Sequence, residues 1–109
     1  MLESAGITCL LEEDAGPLPV EIETALAWAV REGATNVLRH SGARECTVRI
    51  TRQVGQALLE IRDDGRGDNG SEPGNGLRGL GERVQALGGR VHTGAAGAKG
   101  FRLLVSVPT

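Results

Sequence analysis

The fold class this sequence predicts is α+β: a two-layer α/β sandwich in which a mixed β-sheet carries its helices on one face. Three observations predict it. Two stretches repeat their apolar residues at steps of three and four, as amphipathic helices do; five others are short and β-rich, several alternating apolar and polar side chains; and the order β-α-β-β-α-β-β leaves one apolar layer for the sheet and one for the helices. The 109 residues are enough for one hydrophobic core and not for two, so 1–109 reads as a single domain.

Taken in order, Ile7 to Leu11 (ITCLL) is apolar and β-rich and is expected to be a buried or half-buried first strand. Glu12 to Pro19 is a loop punctuated by Gly16-Pro17 and Pro19, and Pro19 suits a helix start because its fixed φ and missing N–H cost little there. Val20 to about His40 is the long helix, with Ile22, Leu26, Ala29, Gly33 and Val37 forming one apolar stripe, and Gly42 stops it. Glu45 to Arg52 alternates, with Cys46, Val48 and Ile50 inward; Gln53 to Gln56 turns; and Ala57 to Asp63 returns with Leu59 and Ile61 inward. By the same period of two, Asp63 points into the core, where a carboxylate is costly without a partner.

A glycine-rich run follows, and Leu77, Leu80, Val84 and Leu87 then mark a second amphipathic helix that Gly88-Gly89 ends. Arg90 to Thr93 is a short strand, Gly94 to Gly100 a turn, and Phe101 to Val107 the last strand, with Phe101, Leu103, Val105 and Val107 on one face.

Composition narrows the function. A net charge of −2 argues against a general nucleic-acid binder, and two aromatic residues, Trp28 and Phe101, cannot build a base-stacking platform. Cys9 and Cys46 fall in strands and read as small buried hydrophobes; with no C-x-x-C, zinc is not indicated. No apolar run approaches the ~20 residues of a membrane span, and no signal peptide is present, so the chain is expected to be cytoplasmic, or the cytoplasmic piece of something larger, with no membrane contact. His92 reads as a strand-surface residue.

Three constellations carry chemistry. On the long helix Glu32, Asn36 and Arg39/His40 share an edge beside the core stripe, although charged helix edges are commonly just solvated. Magnesium keeps several waters, so Asn36 alone suffices as its protein ligand. Next comes Asp63-x-Gly65-x-Gly67 at a strand end; an Asp there often only forms a turn, but an inward carboxylate can also accept a hydrogen bond from an exocyclic amine such as adenine's. Last, Gly74-x-Gly76-Leu77-x-Gly79 opens the second helix, where free N–H groups can hold phosphate oxygens. This last run matches neither a dinucleotide fingerprint nor a P-loop.

Together, Glu32-x-x-x-Asn36, Asp63-x-Gly65-x-Gly67 and Gly74-x-Gly76-Leu77-x-Gly79 resemble the N, G1 and G2 boxes of the Bergerat-type ATPases. The strings REGATNVLRHSGA (Arg31–Ala43), EIRDDGRG (Glu60–Gly67), GNGLRGLGERVQALGG (Gly74–Gly89) and GFRLLVSVP (Gly100–Pro108) resemble the catalytic ATP-binding domain of two-component sensor histidine kinases. Within that family the likeness is to the short-lid subfamily paired with helix-turn-helix response regulators, and it runs from about Ile7 to Pro108. The resemblance implies ATP and Mg²⁺ as cofactors, with Asn36 on the metal, Glu32 near metal and γ-phosphate, Arg39 on phosphate and His40 beside the nucleotide. It also implies that Asp63 accepts the adenine amine, that Gly65 and Gly67 give the base room, and that Gly74, Gly76, Leu77 and Gly79 form the lid hinge and phosphate-holding helix start. Two departures from the family pattern are Gly33-Ala34 after the Glu and Lys99-Gly100 before the last strand, the second expected to loosen the pocket floor.

The dimerisation helices bearing the phosphorylated histidine, and any sensor domain, are absent from these residues. The chain is therefore expected to bind ATP and to transfer phosphate only to a histidine on a separate dimerisation domain, with a response regulator as indirect partner. Residues Arg66 to Pro73 are expected to be disordered without ligand. The competing readings are a free-standing anti-sigma-factor-type serine protein kinase and an interaction module without nucleotide.

Overall fold

A computed structural model describes residues 8–36, 44–65, 75–95 and 100–109. Seven elements follow in the order β1 (Thr8–Asp14), α1 (Val20–Asn36), β2 (Glu45–Gln53), β3 (Gln56–Asp63), α2 (Asn75–Ala86), β4 (Arg90–Ala95) and β5 (Phe101–Pro108). The strands form one sheet in the order β1-β2-β3-β5-β4. β1 runs parallel to β2, with α1 as the crossover, and the other pairs are antiparallel, so the sheet is mixed as expected.

One core joins the two layers. Ile22, Leu26 and Ala29 of α1 and Leu80 and Val84 of α2 pack with Val48, Leu59, Ile61, Leu103, Val105 and Val107 of the sheet. Both helices therefore lie on one face. The other face is more polar, although it includes Leu58 and Leu104, and carries an ion pair between Arg102 Nε and Glu60 Oε2 at 3.0 Å.

α1 starts where expected. The Pro19 carbonyl accepts from the N–H groups of Ile22 and Glu23, both at 3.0 Å, and Glu21 and Glu23 complement the positive end of the helix. Ile22, Leu26, Ala29 and Gly33 are buried as the stripe requires. The expected extension to His40 lies outside the described residues, as does the segment 66–73.

The first strand departs from expectation. β1 runs on to Asp14 through residues assigned to a loop, because its parallel pairing with β2 continues to Asp14↔Thr51 and Glu12 bridges to Arg49 at 3.2 Å. Nor is it buried: Leu10 is 55% and Leu11 62% exposed. β1 is an edge strand, whereas the described part of α1 rests chiefly against β3 and β5 and α2 against β4 and β5. β4 also runs two residues past Thr93, because its ladder with β5 continues to Ala95↔Phe101. Cys46 is buried as expected and its backbone pairs with Cys9, whose side chain lies outside the described ones.

α2 ends in a Schellman turn. Gly88 has φ +81°, its N–H bonds to the Gln85 carbonyl at 2.9 Å, and the N–H of Gly89 bonds to the Val84 carbonyl at 2.9 Å. A Cβ on Gly89 would meet the Ser106 carbonyl oxygen, Val84 Cγ1 at 2.9 Å and Val107 Cα at 3.1 Å. Gly81, inside the same helix, has nothing within 4 Å of such a Cβ. Urea unfolding should therefore separate them: Gly81→Ala stabilises by up to about 1 kcal/mol through helix propensity, whereas Gly89→Ala destabilises by about 1–3 kcal/mol because backbone must move.

Candidate functional site

The alternation that builds β3 also builds the site. Ala57, Leu59 and Ile61 face the core, and the next residue of that period is Asp63, 6% exposed. It pairs with Cys46 of β2 on one side and Phe101 of β5 on the other, so the carboxylate sits well inside the sheet. Its two oxygens have different fates. Oδ1 accepts the N–H of Gly65 at 2.8 Å, the turn that an Asp two residues before a glycine commonly makes. Oδ2 is buried with no hydrogen-bond partner among the described residues. The turn-forming and inward readings of this residue are thus both realised, one by each oxygen.

Burial pushes the Asp63 carboxyl above its ordinary value of 3.8; the backbone N–H groups of Gly65 and Phe101 oppose the rise and neighbouring Asp64 adds to it. A buried acceptor without a donor is costly and uncommon in native structures. It is one that a ligand's N–H would satisfy.

The surroundings fix Asp63 in place. Asp64, which sequence reasoning passed over, turns the other way and accepts from the N–H groups of Arg44 at 2.8 Å and Glu45 at 3.0 Å, tying the end of β3 to the start of β2. Gly100 is buried with φ +107°, and a Cβ there would fall on the Asp63 carbonyl oxygen and 3.2 Å from its carbon. The approach to the last strand is therefore tight at Gly100 itself, while Lys99, the other half of that departure, lies outside the described residues. Only glycine has both the backbone freedom and the bulk that this position allows.

α1 meets the site through Gly33. A Cβ there would fall on Ile61 Cδ1 and stand 3.4 Å from Leu103 Cδ2, so this departure from the family pattern brings α1 down onto β3 two residues before Asp63. One residue earlier Glu32 is half-buried, and its Oε1 accepts the indole N–H of Trp28 at 3.3 Å. The other side of that ring belongs to α2: the Arg83 guanidinium lies 5.2 Å from the ring centroid, and a Cβ on Gly79 would stand 3.3 Å from Trp28 Cζ2. Glu32 and Gly79 are thus joined through Trp28. The only trace of this in the sequence is the i, i+4 spacing of Trp28 and Glu32.

Of the remaining candidates, Asn36 ends α1 and Gly76 and Leu77 lie in the first turn of α2, all three described by backbone alone. Arg39, His40, Gly67 and Gly74 lie outside the described residues. Among the described residues no three His, Cys, Asp or Glu side chains gather as a metal site. A cleft of about 480 Å³ between α2 and β4, lined by Arg78, Glu82, Gln85, Arg90 and His92 among others, includes neither Asp63 nor Glu32.

Comparison with known proteins places this geometry. No family model matches the chain. The sensor histidine kinase DesK of Bacillus subtilis is 31% identical over 113 residues, covering 99% of this chain and 30% of DesK. The signal transduction histidine-protein kinase/phosphatase UhpB of Salmonella typhimurium is 34% identical over 111 residues, covering 98% of this chain and 22% of UhpB. The chain thus spans less than a third of the length of these relatives. Among solved structures, the histidine kinase domain of the blue-light activated histidine kinase EL346 from Erythrobacter litoralis matches with a TM-score of 0.77 at 26% identity, over 94% of this chain and 52% of that one. Full-length ShkA in complex with AMPPNP shares the fold, with a TM-score of 0.77 at 20% identity over 97% of this chain and 26% of ShkA.

The raised carboxyl of Asp63 gives a signed stability prediction. Between its ordinary value and the raised one the folded chain binds more protons than the unfolded chain, so stability falls as pH rises through that window. Below the ordinary value the difference disappears. Asp63→Asn should therefore raise the urea midpoint of the ligand-free protein at pH 7, with the gain shrinking as the pH is lowered toward 4. A gain that stays constant with pH would contradict this origin.

Proposed function

The chain is homologous to the catalytic region of sensor histidine kinases, and from that premise we propose that it binds Mg-ATP and presents the γ-phosphoryl group to a histidine on a separate dimerisation domain. The observation that carries this reading is Asp63 Oδ2, an acceptor buried at the inner end of a D-x-G turn with no donor among the described residues. An exocyclic amine brings the missing N–H and little bulk, so adenine fits the requirement.

The other assignments follow the motif positions. Gly65, whose N–H holds Oδ1, and Gly67 line the base. Asn36 is the protein ligand of Mg²⁺, Glu32 stands near metal and γ-phosphate, Arg39 offsets phosphate charge, and His40 packs beside the nucleotide. Gly74, Gly76, Leu77 and Gly79 supply the lid hinge and the N-terminal amides of α2, where four N–H groups have no helical acceptor and suit phosphate oxygens. When bound, Mg²⁺ would help neutralise the charge that develops during transfer. This chain's own part is to orient the nucleotide and to aim backbone N–H groups at its phosphates.

The named relatives are histidine kinases, which does not favour the anti-sigma-type serine kinase. A module without nucleotide leaves the cost of the buried Asp63 oxygen unexplained. No helix among the described residues is long and apolar enough to cross a membrane. A cytoplasmic site of action, with a response regulator downstream of the phosphohistidine, completes the proposal.

Calorimetric titration of ATP with and without Mg²⁺ tests it. Wild-type chain should bind in both buffers and more tightly with the metal. Asp63→Ala should lower affinity at least about 30-fold, since a charged hydrogen bond is lost. Asn36→Ala should remove mainly the Mg²⁺-dependent gain. Unchanged ATP affinity in Asp63→Ala would overturn the site. Phosphohistidine should form only when a dimerisation domain is added.

A further inference from the structure

Trp28 is the chain's single tryptophan and lies one turn before Glu32 on α1, where it serves both helices. Side chains on a helix lean toward its N-terminus, so the Glu32 carboxylate tips back onto the indole, whose N–H donates to Oε1 at 3.3 Å. One carboxylate oxygen is thereby committed and the rotamer chosen. The ring also sets how closely α2 can approach. A Cβ at Gly79 would stand 3.3 Å from Cζ2 and 3.6 Å from Cη2, and Arg83, four residues on in α2, places its guanidinium 5.2 Å from the ring centroid.

We propose that Trp28 is a positioning residue for the nucleotide site: its N–H aims the Glu32 carboxylate while its ring sets the seat of α2, so that the acid of one helix and the glycine-bearing start of the other are held in one arrangement. This rests on the ATP-binding reading above. A merely space-filling tryptophan would need the ring alone. One feature speaks for the N–H as well: its acceptor is the acid of the first box, while the ring separately meets the last glycine of the third.

The test has two arms. Without nucleotide, all tryptophan emission comes from Trp28, so acrylamide quenching reads its surroundings directly. Glu32→Ala, which removes the acceptor, and Gly79→Ala, which crowds the ring, should each increase quenching; values equal to wild type would overturn the clamp. With nucleotide, Trp28→Phe keeps a ring and loses the N–H. It should bind ATP within about twofold of wild type in the absence of metal and lose roughly fivefold of the Mg²⁺-dependent gain, the effect of one hydrogen bond. A Trp28→Phe profile identical to wild type in both buffers overturns the positioning role alone. A wild-type chain that takes up no ATP overturns the functional reading, and the positioning role with it.

Discussion

The constraint on which this structure depends is a carboxylate carried into the apolar layer by strand periodicity. β3 cannot bury Ala57, Leu59 and Ile61 without also turning Asp63 inward. Much of the surrounding chain keeps that outcome tolerable. Gly65 returns an N–H to Oδ1, Asp64 turns away to hold the start of β2, and Gly100 makes room for the backbone at the mouth of β5. What they leave is one oxygen with no donor among the described residues. A fold selected for stability alone would place an apolar residue or an amide there, and Asp63 departs from that choice.

Most of the architecture was legible because each element announces itself locally. The period of two in β2, β3 and β5 and the three-four spacing of α1 and α2 put in the core most of the residues that the structure buries; Ile50 and Leu87 are only partly buried, and the side chains of Val37 and Leu77 lie outside the described ones. β1 was misjudged for a physical reason: apolar composition does not tell an edge strand from a central one. Leu10 pairs with Thr47 on the face away from the helices and Leu11 with Val48 on the helix side, and at the sheet edge both stay exposed. Its extension to Asp14 rests on pairing with β2, a partner distant in sequence. The inward direction of Asp63 could be read from spacing alone. The division of labour between its two oxygens could not, because that depends on where Gly65 places its N–H. Trp28 was passed over for a related reason, since its significance comes from contacts with a helix about fifty positions away.

The two helices meet the sheet in different ways. α1 lies close to it at Gly33, where an added Cβ would have to displace the Ile61 Cδ1 methyl. α2 is seated by Leu80 and Val84, and its contact with α1 includes an aromatic ring lying against a glycine. α1 therefore acts as a fixed wall beside Asp63, and the position of α2 is set partly by what stands on that wall.

The end of α2 adds a mechanical consequence. Its last turn closes through Gly88 and Gly89, and Gly89 is wedged against the Ser106 carbonyl and the backbone of Val107, so the C-terminal end is bolted to β5. Twelve residues of helix span about 18 Å from that bolt to the opposite tip. The first half of the helix rests on α1 instead, where Gly79 meets the Trp28 ring, so the two ends of α2 lean on different neighbours and a shift of α1 would tilt the helix about that bolt.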